Sequence, residues 1–231
     1  MSTILIIATA ADRMGAAGHP TGVWLDELAT PWLAFRAAGH GVEIATIAGR
    51  PIPVDPKSEP QDEAPEALRS FRARPEIAVS LDAPAALVDL DPTAFGAVFV
   101  PGGHGAMWDL AGSPALARFL ARAWAAGAVL GAVCHGPAAL VGVELEGRPL
   151  VAGRRVSAFT DSEERATGLE AVVPFLLESR LRALGARVET GPDWEPHALR
   201  DGRLVTGQNP ASSAAVAAAL LAALAETRAA A

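Results

Sequence analysis

The chain has 231 residues, 51% of them hydrophobic, and a formal net charge of −7. That length and apolar content allow one domain over residues 1–231 with a sizeable core, carrying a Pro-rich surface excursion around 50–66. The acidic balance argues against nucleic acid or an anionic membrane as partner, and no uncharged apolar run reaches the roughly 18–20 residues of a membrane span.

The opening MSTILIIATAADRMG lacks a basic start, so it is predicted to be a first buried strand over Thr3–Thr9 and not a signal peptide, with a cytoplasmic location by default. Trp24, Leu25, Leu28, Trp32, Leu33 and Phe35 recur at helical spacing and predict an amphipathic helix ended by Gly39 and Gly41. Val42–Ile47 is the next strand, and the prolines between Arg50 and Pro65 predict a loop. Val98–Val100 reads as a strand leading into Pro101-Gly102-Gly103, Pro114–Ala126 as a helix, Ala128–Val133 as a strand, and Gly136–Val141 as the start of a further helix. Val156–Ala158, Val188–Thr190 and Arg203–Thr206 read as short strands. Val172–Leu184 reads as a helix with Pro174 near its first turn, and Ser212–Glu226 as a final helix whose apolar part is short. Continuous apolar strands alternating with helices imply an α/β fold, a doubly wound, mostly parallel sheet with helices on both faces, with sites beyond the carboxyl ends of the strands.

Cys134 is the one cysteine, which excludes an intrachain disulfide and any multi-cysteine metal site. An isolated cysteine is ordinarily a small buried hydrophobe. In GAVLGAVCHGPAAL, however, a buried strand runs straight into Cys134-His135-Gly136-Pro137 and a helix-forming run follows. A nucleophile on such a turn stands clear of the sheet, and the amides and dipole of the following helix favour a thiolate with a lowered pKa. His135 is either a solvent-facing turn residue or a proton acceptor folded back beside the thiol. In AVFVPGGHGAMWDL a strand ends in Gly102-Gly103, whose unobstructed amides suit an oxyanion, with Gly103 the natural donor. His104 next to it is a pocket residue or an exposed loop histidine. On residues alone, Glu27 belongs to a solvated helix face, and Asp161, Glu163 and Glu164 are first-turn acids behind an N-cap at Asp161 or Ser162.

Taken as a set in this order, TGVWLDELATPW, IPVDPKS, VFVPGGHGAMWDL, AVCHGPAAL, FTDSEE, VVPFLLESRLRALGA and LVTGQNPASS resemble the class I glutamine amidotransferase-like superfamily over nearly the whole chain. Within it they are similar to the branch of heat-shock chaperone type, which holds intracellular proteases, glutathione-independent glyoxalase III enzymes and proposed protein deglycases. The resemblance implies a flavodoxin-like sandwich and a homodimer. It implies Cys134 as nucleophile, His135 as its partner, Glu27 as the helix acid that contacts the sulfur, and Gly103 as the oxyanion donor. Glu164 resembles the acid that orients the histidine, with Glu163 as its neighbouring alternative. The elbow begins Ala132-Val133-Cys134 and His197 is followed by Ala198-Leu199, so glutaminase activity is disfavoured. His19, His104 and His197 show no ligand spacing, so no metal is expected, and no cofactor. The expected reaction is cysteine-dependent conversion of methylglyoxal or a related small carbonyl substrate to a hydroxy acid. A holding chaperone, a cysteine peptidase or amidase, and a binding or stress protein with a merely redox-sensitive cysteine are the alternatives.

Overall fold

The run Thr3-Ile4-Leu5-Ile6-Ile7 is β-branched or apolar throughout, and such a run suits a strand buried on both faces. In the computed structural model, which describes residues 2–60 and 64–229, it forms β1 (Thr3–Ile7). The chain continues through α1 (Leu25–Ala37), β2 (Gly41–Thr46), α2 (Glu66–Arg72), α3 (Pro75–Asp82) and β3 (Ala85–Ala86). Next come β4 (Ala97–Val100), α4 (Ala106–Asp109), α5 (Pro114–Ala125) and β5 (Val129–Val133). Short pieces follow: β6 (Glu144–Leu145), β7 (Arg148–Pro149), β8 (Arg155–Val156), α6 (Asp161–Thr167), α7 (Leu177–Ala183) and β9 (Arg187–Val188). The chain closes with β10 (Ala198–Asp201), β11 (Leu204–Gly207) and α8 (Ser213–Ala229).

Seven strands form one sheet in the order β10-β11-β5-β4-β1-β2-β3. Every pairing is parallel except β10 with β11 at one edge. Alternate residues of each inner strand serve opposite faces. Leu5, Ile7, Val98, Val100, Leu130 and Ala132 join one core with Phe119, Leu120 and Trp124 of α5. Ile4, Ile6, Ala97, Phe99, Val129 and Val133 join the other with Trp32 and Phe35 of α1 and Val216 and Leu220 of α8. The chain winds outward from β1 to β3 and then returns to β4 on the far side of β1. That reversal opens a crevice at the carboxyl ends of β1 and β4, where α/β sheets place their sites.

Several elements differ from the sequence reading. The stretch after Pro65 holds α2 and α3, helices of 7 and 8 residues that are too short to show a helical period clearly. Residues 61–63 of the Pro-rich excursion lie outside the described residues. The helix expected from Gly136 is a five-residue 3₁₀ turn, Gly136–Leu140. The helix expected over Val172–Leu184 is confined to α7, because Leu176 is extended at its start and the prolyl segment before it forms turns and bends. The cap of α6 is Thr160, not Asp161 or Ser162: its hydroxyl accepts from the Glu163 N–H while Glu163 reaches back to the Thr160 N–H, a reciprocal capping box. The last helix is longer than expected. With the turn before it, Pro210–Ala229 makes 20 residues of mean hydropathy 1.4, long and apolar enough by length and composition to cross a membrane. Its Val216, Ala217, Leu220, Ala223 and Leu224 are instead packed into the core beside α1 and β5.

Candidate active site

β5 ends at Val133, and the chain turns sharply at Cys134, whose φ of 58° lies in the left-handed region that non-glycine residues avoid. Two hydrogen bonds hold the turn: the Cys134 N–H donates to the Gly207 carbonyl at 3.0 Å, and its own carbonyl accepts from the Phe159 N–H at 2.9 Å. Close approach from beneath requires Gly136, where a Cβ would lie 2.1 Å from the Val100 carbonyl oxygen. Gly103 is equally restricted: its φ is +95°, and a Cβ would meet the Gly22 carbonyl oxygen at 2.2 Å. The backbone N–H groups of Gly103 and His135 act on the Cys134 sulfur and favour its ionised form.

His135 folds back, fully buried, with Nδ1 3.3 Å from Cys134 Sγ and Nε2 2.8 Å from Glu164 Oε2. Glu164 Oε1 lies 2.9 Å from His104 Nε2. Burial alone raises the Glu164 carboxyl, but the hydrogen bonds from His104 and His135 outweigh it and hold the group well below the usual carboxylate range. An ionised Glu164 accepts from Nε2–H of His135, which leaves the Nδ1 lone pair facing the thiol. Burial and the neighbouring His104 bring His135 down to about 4, against the pull of Glu164, so at neutral pH the ring is uncharged and able to take a proton. Phe159 stacks on the His135 ring at 4.4 Å between centroids, and His104 lies at 4.1 Å.

Glu27 is not on a solvated face: it is buried in the first turn of α1, where Oε2 accepts from the Gly102 N–H at 2.7 Å. Oε1 is buried without a well-aligned partner, and the group the carboxyl acts on is the Cys134 thiol, each shifting the other's proton affinity. Burial raises Glu27 to about 8, so it is mainly protonated at neutral pH. The expected low thiol pKa is not found. Burial, and then the charge of Glu27, push Cys134 up, and the five-residue 3₁₀ turn behind it is no substitute for a full helix N-terminus.

The structure thus brings together Cys134, His135, Glu27, Glu164, Gly103 and His104. Glu164, not Glu163, contacts the histidine. Glu163 instead accepts from the Trp194 N–H, Gln208 Nε2 and Asn209 Nδ2, tying α6 to the loops before and after β10 and β11. Sequence reasoning missed the double use of Glu164 by two histidines, since a contact across 60 positions has no local signature. It also missed Phe159 as the ring packed on His135. Among the described residues, His104, His135 and Glu164 are buried with ligand atoms all within 4.8 Å of one another, a grouping able to hold a metal ion, whereas the spacing of His19, His104 and His197 in the sequence predicts none.

A parallel sandwich with a cysteine on a strained elbow, a histidine beside it and an acid behind the histidine defines a class I glutamine amidotransferase-like protein. Within that class the chain belongs to the DJ-1/PfpI family, whose model matches residues 21–223. It is 30% identical over 224 residues to the glutathione-independent glyoxalase HSP31 of Saccharomyces cerevisiae, covering 91% of this chain and 92% of the relative. The crystal structure of glyoxalase III from Candida albicans superimposes with a TM-score of 0.88 at 28% identity, over 96% of this chain and 97% of that one. The Rapid Encystment Protein 24 KDa of Francisella tularensis gives a TM-score of 0.92 at 32% identity, over 97% and 99%.

Proposed function

We propose that this protein is a cofactor-independent lyase of the glyoxalase III type, converting methylglyoxal or a related 2-oxoaldehyde to a hydroxy acid. The observation that carries the reading is the Cys134–His135–Glu164 chain of contacts, 3.3 Å and 2.8 Å, with a protonated Glu27 acting on the same sulfur. The Cys134 thiol gives its proton to His135 Nδ1 as the sulfur adds to the aldehyde carbon. Glu27 gives its proton to the aldehyde oxygen, and a hemithioacetal results. Glu27, now a carboxylate, removes the hydrogen from that carbon while His135 returns its proton to the neighbouring keto oxygen, forming an enediol. Proton return from Glu27 to the second carbon, with the hydroxyl proton of the first carbon passing back to Glu27, yields a thioester and restores the acid, and water then releases the hydroxy acid and restores the thiol. Gly103 N–H is placed to receive the oxyanion.

The high thiol pKa is compatible with this scheme, because the proton leaves in concert with addition and no resting thiolate is needed. Cys134 is only 3% exposed, which favours a small carbonyl over a folded polypeptide as substrate and disfavours the peptidase reading. One domain over residues 1–231, supported by the chain's length and composition, a homodimer, supported by the family resemblance, and a cytoplasmic setting, supported by the absence of a basic start before the first apolar run, complete the proposal. The test is glutathione-free turnover of methylglyoxal by the purified chain, with chiral analysis of the lactate formed and a methylglyoxal-modified peptide as a second substrate for deglycase activity. Hydroxy-acid formation that vanishes in Cys134→Ala supports the reading; its absence in the wild type overturns it.

A further inference from the structure

Orienting His135 requires one acid, yet Glu164 is engaged on both oxygens by Nε2 atoms of two histidines, His104 at 2.9 Å and His135 at 2.8 Å. The second histidine makes the acid–base pair a three-donor cluster. All three residues are buried, and their ligand atoms lie within 4.8 Å of one another. Two imidazoles and one carboxylate form a donor set characteristic of zinc, and imidazole selects late transition ions over magnesium or calcium. We propose that His104, His135 and Glu164 form an inhibitory site for a divalent transition ion, zinc foremost.

Zinc bonds of about 2.0–2.2 Å place tetrahedral ligands roughly 3.3 Å apart, so the present 2.8 Å and 2.9 Å contacts need to open by about half an ångström. Each histidine offers a lone pair once its Nε2 proton has left. For His135 that means the neutral tautomer protonated on Nδ1. Nδ1–H then faces Cys134 Sγ as a donor, where the resting site has an acceptor at 3.3 Å. A metal-bound imidazole commonly donates its other N–H to such an acceptor. The thiol proton loses its destination, and addition to an aldehyde stops. Water completes the fourth position. Inhibition rests on the function proposed above; binding rests on the three residues alone.

The test uses the full chain after chelator treatment, titrated with zinc chloride against a chromophoric chelator, and with cobalt(II) as a spectroscopic probe. One zinc per chain is expected in the wild type. Binding is expected to weaken by at least about tenfold in His104→Asn and in Glu164→Gln, both checked for native near-ultraviolet circular dichroism, and to be retained in Cys134→Ala. Cobalt should give d–d bands without a thiolate charge-transfer band, and turnover should fall with the same zinc dependence and recover with EDTA. No zinc binding by the wild type overturns the proposal. So does binding that survives both His104→Asn and Glu164→Gln but is lost in Cys134→Ala with a thiolate–cobalt band, since the site is then the cysteine. Full occupancy with unchanged turnover overturns inhibition. If the wild type turns over no 2-oxoaldehyde, the proposed function fails, while the cobalt spectrum and variant affinities still decide whether the site exists.

Discussion

Glu27 and Cys134 are an acid and a thiol buried against each other, and burial disfavours a charge on either. Because Glu27 holds its proton to about 8 in the fold but ionises near 4.5 when exposed, the folded state retains a proton that the unfolded chain releases between those values. Stability contributed by the neutral carboxyl is therefore full below about 4.5 and is lost as pH rises toward 8; Glu27→Gln should flatten that limb in urea melts run across the range. Activity should follow the same residues. The His135 base is lost below about 4 and the Glu27 acid above about 8, giving a bell-shaped kcat/KM profile. Glu27→Gln should cut turnover by about 10²–10⁴-fold. It should also lower the pKa of iodoacetamide reactivity at Cys134, which in the wild type should exceed the ordinary thiol value of about 8.5. A wild-type thiol that titrates below that value contradicts the burial argument. The elbow that makes Cys134 the proposed nucleophile was legible in the sequence. The thiol's protonation state was not, because that depends on Glu27, which lies 107 positions away in the chain and is brought beneath the turn only by folding.

At the scale of elements, α1 must start at a fixed place for Glu27 to reach the sulfur, yet Trp24 at its N-cap supplies no side-chain acceptor. The cap comes from the Pro-rich excursion: Ser58 Oγ accepts from the Leu25 N–H at 3.1 Å and donates to the Asp55 carbonyl at 2.7 Å. The Asp55 carboxylate in turn accepts from the Thr21 hydroxyl and the Lys57 N–H, and backbone bonds join Val23 with Pro53 and Asp55 with Val23. Ser58→Ala should destabilise the protein by about 1 kcal/mol, the usual worth of a cap, and should lower kcat more than it raises KM because Glu27 loses its anchor. Denaturant melts paired with steady-state kinetics measure both. Inner strands such as β1, β4 and β5 were legible because they are buried on both faces and read as unbroken apolar runs. The helices α2 and α3 and the edge strand β10 were not, since segments this short carry no clear period of their own, whereas the short β8, β9 and β11 overlap strands predicted from their apolar residues. Gly136–Leu140 looked helical by composition, but close packing of Gly136 on Val100 shapes it as a tighter turn.

For the whole molecule, the site is a sum of four separate chain crossings: Glu27 from α1, Gly103 and His104 after β4, Cys134 and His135 after β5, and Glu164 from α6. All meet at one end of the sheet. A cavity of about 660 Å³ lies at the other end, among Thr3, Gly41, Gly96 and Ala128 at or beside the starts of four strands, and takes no part in this constellation. This division separates enzyme from holding chaperone. Cys134→Ala removes one sulfur from a turn whose φ of 58° strains either residue, so its stability cost should be about 1 kcal/mol or less. Turnover should fall to background. Suppression of client aggregation depends on exposed apolar surface, and the large apolar side chains exposed among the described residues are Val79, Val88 and Trp194, none of them altered by that change. A wild type inactive on every 2-oxoaldehyde, with aggregation suppression equal in wild type and Cys134→Ala, would replace the lyase reading with the chaperone one. Turnover lost in the variant, with melting and aggregation suppression unchanged, assigns the chemistry to the cysteine and leaves any chaperoning to the surface.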